Sequence, residues 1–298
     1  IIILALASSQ LYAQKEANNW FFGNNCGITW NTTQDLIATG MFGTLDKELK
    51  GLPTNISGTI PIVTYEGCFS LSDNKGNLLF FSDGTTIWDK NMNPRVNGTG
   101  LFGDFSATQS GIIIPYPEQA NKYIAFSTKA GESKFAGDNL FYSVIDMNLN
   151  GGLGEVVSGQ VNVPLVGYVG TVCETVASVK HSNGKDFWII APGRDSNPTF
   201  MNAWLVTKDG VSTTPVTTAL AGVPLASSDV GGYLKISPDG RYFGWASYVH
   251  QRVIFGQFDN TTGACSNITM TSENGDFYGA EFSASGEYLY VVYFMGNM

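Results

Sequence analysis

Residues 231–247 read GGYLKISPDGRYFGWAS, and this stretch decides the fold prediction. Leu234 and Ile236 alternate with polar residues, which is the period-two pattern of a strand with one apolar face. The tripeptide Pro-Asp-Gly at residues 238–240 is a turn signal, because proline presets φ and glycine accepts a positive φ. An aromatic run at residues 241–247 completes the unit as a second strand.

The same strand-turn-strand unit recurs along the chain. Further copies lie at residues 68–82, 177–191 and 278–293, with a looser copy at 110–127. The turn glycines of the clear copies are Gly76, Gly184, Gly240 and Gly286. A unit that returns at intervals of about 45–55 residues is typical of a β-propeller, in which each repeat is one blade. We therefore predict an all-β fold, a β-propeller of four-stranded antiparallel blades, about six or seven in number, with the last blade truncated.

Turn residues also predict the connections. The turns at residues 73–76, 182–184, 238–240 and 284–286 should each join the first and second strands of their blade. Residues 20–30 predict a hairpin, since two aromatic runs flank a Gly-Asn-Asn turn. Residues 31–64 are weakly patterned, so we expect mostly loop there, with one strand at 59–64.

The amino-acid composition agrees with a single large β domain and argues against two classes of binding partner. The chain has 298 residues, 35 of them glycine, and only 14% are charged. A net charge of −9 without a cluster of Lys and Arg argues against nucleic acid and against an anionic membrane surface.

The N-terminal segment IIILALASSQLYA, residues 1–13, predicts export. It is too short to span a bilayer and resembles the apolar core of a secretory signal peptide ending at Ala13. A buried strand is the alternative interpretation. We assign the propeller domain to residues 17–298 and expect no membrane insertion of this mature domain.

Several segments together resemble a known family. They are NWFFGNNCGITW (19–30), EGCFSLSDNKGNLLFFSDG (66–84), NGTGLFG (97–103), DMNLNGGLG (146–154) and VKHSNGKDFWII (179–190). They are similar to the N-terminal propeller of large Bacteroidetes cell-surface proteins, which are associated with gliding motility and adhesion. In that family the propeller precedes PKD-type repeats and a sorting domain for type IX secretion. The resemblance implies a secreted or cell-surface location, on the outer-membrane exterior, and a protein or glycan partner. It supplies no catalytic motif.

Two acidic residues and one amide occupy matching places in the repeats. Glu66, Gln109 and Glu174 lie near the starts of the innermost strands, which would line the central channel of a propeller. They could form a ligand site at the channel mouth or, as paired carboxylates, serve acid–base chemistry. The alternative is that they accept hydrogen bonds from the backbone of neighbouring blades.

A second candidate site is a calcium loop. Asp146, Asn148 and Asn150 match its opening, where oxygen ligands alternate before a glycine. Val157 stands where the bidentate glutamate belongs, and a polar turn needs the same residue types, so both interpretations stay open. No other cofactor is expected.

The cysteines are Cys26, Cys68, Cys173 and Cys265, and they form no Cys-x-x-Cys motif. Disulfides and isolated buried thiols are both compatible with their spacing. Neither His181 nor His250 lies in a zinc-binding pattern, and no Gly-x-Ser-x-Gly motif occurs.

These observations predict a non-catalytic, exported cell-surface module whose propeller serves adhesion, binds a protein or glycan, or acts as a spacer. The alternative is a secreted propeller hydrolase or lyase that acts on glycans with carboxylates at the channel mouth.

Overall fold

The computed structural model describes residues 15–38, 47–130, 140–194, 198–223, 231–248, 250–272 and 275–294. Regular structure in these residues is β-strand throughout, apart from one 3₁₀ turn at Asn150–Gly152. The all-β prediction is therefore confirmed. The predicted signal segment, residues 1–13, lies outside the described residues. Within the part of the chain described, no helix has the length and apolar character that crossing a membrane requires.

Six antiparallel sheets follow one another along the described chain. The first contains β1 (Asn19–Phe22), β2 (Cys26–Ala38) and β3 (Lys47–Asn55). The second contains β4 (Phe69–Ser72), β5 (Leu78–Ser82), β6 (Thr86–Asp89) and β7 (Pro94–Thr99). The third contains β8 (Gly111–Pro115), β9 (Lys122–Thr128), β10 (Leu140–Asp146), β11 (Glu155–Val156) and β12 (Val163–Pro164).

The three remaining sheets follow along the chain and contain six, four and two strands. The fourth contains β13 (Thr171–Val172), β14 (Ala177–Lys180), β15 (Phe187–Arg194), β16 (Phe200–Thr207), β17 (Gly210–Val211) and β18 (Val216–Ala219). The fifth contains β19 (Leu234–Ile236), β20 (Tyr242–Ser247), β21 (Arg252–Phe258) and β22 (Cys265–Met270). The sixth contains β23 (Asp276–Phe282) and β24 (Leu289–Phe294).

The sheets are stacked in chain order. The first strand of each sheet contacts an inner strand of the next, through the pairs β1–β4, β4–β8, β8–β14, β14–β19 and β19–β23. Four apolar clusters fill the spaces between neighbouring sheets, as when Phe21 of β1 stacks on Phe81 of β5 at 4.0 Å. The second, third and fourth sheets each lie between two of these clusters, so their central strands β5, β6, β9, β10, β15 and β16 are largely buried.

The predicted glycine turns are confirmed. They join β4 to β5, β14 to β15, β19 to β20 and β23 to β24, which are the first two strands of their sheets except that the two-residue strand β13 precedes β14 in the fourth. The φ angles are +91° at Gly76 and +74° at Gly184, Gly240 and Gly286, a region that glycine adopts without steric cost. The looser copy turns instead through Glu118 and Asn121, both at positive φ.

The prediction for residues 31–64 is wrong. The long hairpin of β2 and β3 occupies residues 26–55, while 59–64 holds only an isolated bridge between Val63 and Asn24. Residues 31–37 are exposed on both faces, and the register shifts twice along the pair. Since neither face is buried, the sequence carries no apolar alternation by which to recognise these strands.

No disulfide joins the four cysteines. Cys26 is exposed, whereas Cys173 and Cys265 are buried. Burial raises the pKa of Cys265 to about 12, and burial together with the charge of Asp83 raises the pKa of Cys68 to about 11. The structure thus favours isolated thiols among the two alternatives.

Candidate functional site

Polar residues from five sheets meet where the first strands begin. The contributing positions are Glu66 before β4, Thr108 and Gln109 before β8, Glu174 before β14, Gly232 before β19, and Tyr278 within β23. We call Glu66, Thr108, Glu174 and Tyr278 the mouth cluster. Strand starts converge here because consecutive first strands contact one another.

The mouth cluster is one continuous series of oxygen contacts. The hydroxyl of Tyr278 donates to Oε1 of Glu66 at 2.5 Å. The hydroxyl of Thr108 donates to Oε1 of Glu174 at 2.9 Å, and the two hydroxyl oxygens lie 3.0 Å apart. The backbone N–H of Gly232 also donates to the Thr108 oxygen, at 3.2 Å. Two carboxyl groups from different sheets are therefore linked through two hydroxyls.

Gln109 has a different role from the two glutamates. Its Oε1 accepts hydrogen bonds from the hydroxyl of Thr175 and from the N–H of Leu234, the latter at 2.9 Å. The backbone N–H of Gln109 donates to the backbone carbonyl oxygen of Glu174 at 3.2 Å. Gln109 thus holds the strand starts of three sheets together. This role agrees with the alternative interpretation, in which the residue accepts hydrogen bonds from the backbone of neighbouring blades.

Burial divides the mouth cluster into an inner and an outer end. Glu174 is 6% exposed, whereas Glu66 is exposed and Tyr278 is partly buried. Burial raises the pKa of Tyr278, and the hydrogen bond to Glu66 and the charges of both glutamates add to that effect. Tyr278 therefore keeps its proton at neutral pH, and Glu66 is the carboxylate that a molecule in solution reaches first.

Aromatic side chains stand beside Glu66. Tyr65 is 79% exposed and packs edge-on against Phe105, with ring centroids 5.2 Å apart. The N–H of Tyr65 donates to the carbonyl oxygen of Phe105 at 3.0 Å, so backbone pairing keeps the two rings together. This pair presents apolar ring surface to solvent directly next to the exposed carboxylate.

A cavity of about 330 Å³ adjoins the mouth cluster. It is lined by residues in or just before the first strands, among them Gly67, Thr108, Gln109, Tyr233 and Lys235. Lys235 is paired with Glu281, its Nζ lying 2.8 Å from Oε2. Residues of four sheets thus line this space, and Gln109 is the predicted site residue among them.

The calcium candidate has the hydrogen bonding of a turn. Oδ1 of Asp146 accepts from both the backbone and the side-chain nitrogen of Asn148, each at 2.9 Å. Lys122 Nζ lies 3.7 Å from Oδ2 of Asp146, and Asn150 adopts a φ of +49° in the 3₁₀ turn. The described residues contain no group of three or more His, Cys, Asp or Glu side chains placed to hold a metal. Calcium binding here stays a prediction.

Sequence reasoning identified the two glutamates but missed their partners. Thr108 and Tyr278 were not singled out, although Thr108 adjoins Gln109 and Tyr278 opens the last repeat copy. Position in the repeat was the available signal for both. Tyr65 and Phe105 were also missed, since they are 40 residues apart and meet only through the packing of two loops.

No family model and no curated protein matches the chain. Solved structures to which the chain is similar include a candidate 6-phosphogluconolactonase from Bacteroides uniformis, with 17% identity and a TM-score of 0.40 over 67% of this chain and 55% of that one. A GH43 β-1,3-galactosidase gives 9% identity and a TM-score of 0.39, over 65% of this chain and 67% of the galactosidase chain. The β-propeller domain of Cps50 (Swd1) from Myceliophteria thermophila gives 9% identity and a TM-score of 0.31, over 90% of this chain and 93% of the Cps50 chain.

The matched region of this chain spans about half of the lactonase chain, 55% of its length. The neighbours include enzymes by name, which contradicts the prediction of a non-catalytic module. With TM-scores this low, their reactions and substrates are not carried over to this chain.

Proposed function

We propose that this chain is an exported hydrolase of neutral glycans, built on a β-propeller whose central cavity opens at the mouth cluster. In this proposal each sheet is one blade, and the complete ring has about six or seven blades. The ordered contacts between successive first strands support the arrangement. The Tyr278–Glu66 hydrogen bond adds to it, since it brings the sixth sheet back to the loop before the second.

The observation that carries the proposal is the linkage of an exposed and a buried carboxyl through two hydroxyls, of which that of Thr108 also lines the cavity. Glycoside hydrolysis uses carboxyl groups as acid, base or nucleophile at the scissile bond. Glu66 is the group placed to meet the substrate, and we assign it the role of general acid–base residue. Glu174 lies behind it and acts through Thr108 and Tyr278.

The aromatic pair supports a carbohydrate substrate. Sugar rings present C–H faces that pack on aromatic rings while their hydroxyls stay hydrogen-bonded. Tyr65 and Phe105 offer such a surface beside Glu66, at 79% and 44% exposure. A pyranose ring resting on Tyr65 would bring its glycosidic oxygen to the Glu66 side of the cavity opening.

Charge favours neutral over acidic glycans. The ionisable carboxyls of the mouth cluster would repel the carboxylate of a uronic acid, and the chain as a whole carries −9. A lyase acting on uronates needs cationic groups to neutralise that carboxylate, whereas Lys235 in the cavity is already paired with Glu281. We therefore favour the hydrolase over the lyase.

The test is turnover by the full chain on a panel of chromophore-labelled oligosaccharides, half neutral and half uronate-containing. We expect neutral substrates to be cleaved and Glu66→Gln to lower kcat by about 100-fold or more, with KM little changed. Glu287→Gln is the matched control, because Glu287 lies in the exposed β23–β24 turn. The proposal would be contradicted if none of the neutral oligosaccharides were cleaved, or if Glu66→Gln and Glu287→Gln had equal kcat.

We further propose that the protein is delivered to the cell exterior, as its apolar segment 1–13 and its resemblance to Bacteroidetes surface proteins suggest. Antibody labelling of intact cells and added protease should both reach the protein. Deletion of residues 1–13 should leave it protected inside the cell. Equal labelling with and without the segment would exclude its role as an export signal.

A further inference from the structure

The interfaces between neighbouring sheets extend outward to their last strands. Between the second and third sheets, β7 contacts β11. Between the fourth and fifth sheets, the N–H of Cys265 on β22 donates to the hydroxyl of Thr218 on β18 at 3.1 Å. Ile254 of β21 and Ala203 of β16 pack in one apolar cluster there. In both interfaces the outer strands of the later sheet cover those of the earlier one.

The interface between the fifth and sixth sheets covers less of its sheet. Leu289 of β24 lies against Gly244 of β20. Tyr242 and Phe255 share the face of Gly244, because Tyr242 is two residues away on β20 and Phe255 lies opposite Gly244 on β21. They are 41% and 39% exposed and line a cavity of about 580 Å³. Tyr242 and Phe255 thus lie where the outer strands of a following sheet would pack.

The outer edge of β24 is a pairing surface for such a strand. In the described residues the sixth sheet consists of β23 and β24, so β24 is paired along one edge. An unpaired edge presents backbone N–H and C=O groups that a strand of another chain can pair with. We call this edge together with Tyr242 and Phe255 the acceptor surface.

The β2–β3 hairpin supplies two strands of the kind that this surface accepts. β1 pairs with β2 at Cys26–Thr29, whereas β2 and β3 pair further out, along residues 33–38 and 47–53. We call these two ranges the outer hairpin. In it Leu36 lies opposite Leu49, and the two side chains are 48% and 40% exposed. Opposed residues of paired strands point to the same face, so the outer hairpin has an exposed apolar pair on one face.

We propose that the outer hairpin of one copy of this chain occupies the acceptor surface of a second copy. Its strands extend the sixth sheet from β24, and Leu36 and Leu49 pack on Tyr242 and Phe255. Each copy gives one hairpin and receives one, which closes a two-fold dimer. The exchange uses no residue of the mouth cluster and goes beyond the proposed reaction.

A second copy is the occupant because both surfaces belong to the chain and both are exposed in it. Leu36 and Leu49 remain exposed on the first sheet, so the outer hairpin does not fill the acceptor surface of its own chain. Exchange between copies removes both apolar surfaces from water in one step. Contact between two hairpins would instead leave the edge of β24 unpaired and Phe255 exposed.

The experiment measures the mass of the full chain by sedimentation equilibrium over a range of concentrations. We expect a monomer–dimer equilibrium whose dissociation constant rises about tenfold or more in Leu49→Asp and in Phe255→Asp, because each places a charge in an apolar contact. Val96→Asp is the control, since Val96 is 48% exposed on β7, outside both surfaces, and should leave the constant unchanged. Leu36→Asp and Tyr242→Asp replace the first two variants if either fails to fold.

Mixing the two variants tests the exchange itself. An equal mixture of Leu49→Asp and Phe255→Asp chains has one intact outer hairpin for one intact acceptor surface, so it should form more dimer than either variant alone. A native chain that stays monomeric at every concentration would overturn the proposal and leave the acceptor surface to a different protein. Dimers that neither substitution weakens would also overturn it. So would a mixture that associates no better than its components, since like surfaces would then be in contact.

Discussion

The hydroxyl of Tyr278 lies 2.5 Å from Oε1 of Glu66, although 212 residues separate them in the chain. Tyr278 belongs to the sixth sheet and Glu66 to the loop before the second. This hydrogen bond therefore joins the sixth sheet to the segment that enters the second sheet. The same hydroxyl thus orients Glu66 and links the two sheets.

Removing that hydroxyl should weaken the fold measurably. Tyr278→Phe loses the bond to Glu66 and the contact with Thr108, and we expect the free energy of unfolding to fall by about 1 kcal/mol. Urea denaturation monitored by tryptophan fluorescence measures it. Tyr290→Phe is the control, since Tyr290 is 63% exposed on β24 and should change stability by less than about 0.5 kcal/mol. Equal losses in both variants would argue against a role for the Glu66 contact.

Gly232 should tolerate substitution far less than a turn glycine. Its φ is +111°, and an added Cβ would lie 1.7 Å from the carbonyl oxygen of Ala246. We expect Gly232→Ala to cost about 3 kcal/mol or more, since backbone must move. At Gly184 the φ is +74° and nothing lies within 4 Å of the added atom, so Gly184→Ala should cost about 1 kcal/mol. Thermal unfolding of the two variants compares them, and a reversed order would be inconsistent with this geometry.

The free energy of unfolding at acidic pH should depend on the ionisation of Asp259. Hydrogen bonds from the N–H of Thr261 and the hydroxyl of Thr262 lower its pKa in the folded state. A lowered pKa adds stability above the unfolded-state value of about 4, and that stability is lost as the pH falls through the folded-state value. Relative to Asp259→Asn, the native chain should be more stable by about 0.5 kcal/mol at pH 7.

The stability difference between Asp259 and its Asn variant should shrink as the pH falls through the lowered folded-state pKa of Asp259, because the carboxyl then becomes protonated in both states. Urea midpoints measured at several pH values give this comparison. A gap that persisted at low pH would mean that the hydrogen bonds do not depend on the charge of Asp259.

Thiol reactivity should report the absence of disulfides. Cys26 is exposed, while burial raises the pKa values of Cys68 and Cys265 to about 11 and about 12, and Cys173 is buried. At pH 8 a disulfide reagent should label one thiol quickly in the native protein and all four after unfolding without reductant. Cys26→Ser should remove the fast phase. Fewer than four thiols in the unfolded chain would reveal a disulfide.

Local sequence was sufficient for the repeated part of the fold. The turns at Gly76, Gly184, Gly240 and Gly286 were placed correctly because glycine accepts the positive φ that each of them adopts, a requirement that is local in sequence. The strands beside them were recognised because each buries one or both faces. The hairpin of β2 and β3 was not, since residues 31–37 are exposed on both faces and pair through the backbone, which leaves no apolar alternation in the sequence.

The sequence by itself determined the unit that repeats and the places where Glu66 and Glu174 occur within it. Only the tertiary structure decided that these two carboxyls are connected, and that Thr108 and Tyr278 connect them. The physical reason is range. Turn and strand preferences act over a few residues, whereas the mouth cluster exists only once strand starts from separate sheets have converged, bringing side chains as far apart as 212 residues into hydrogen-bonding distance.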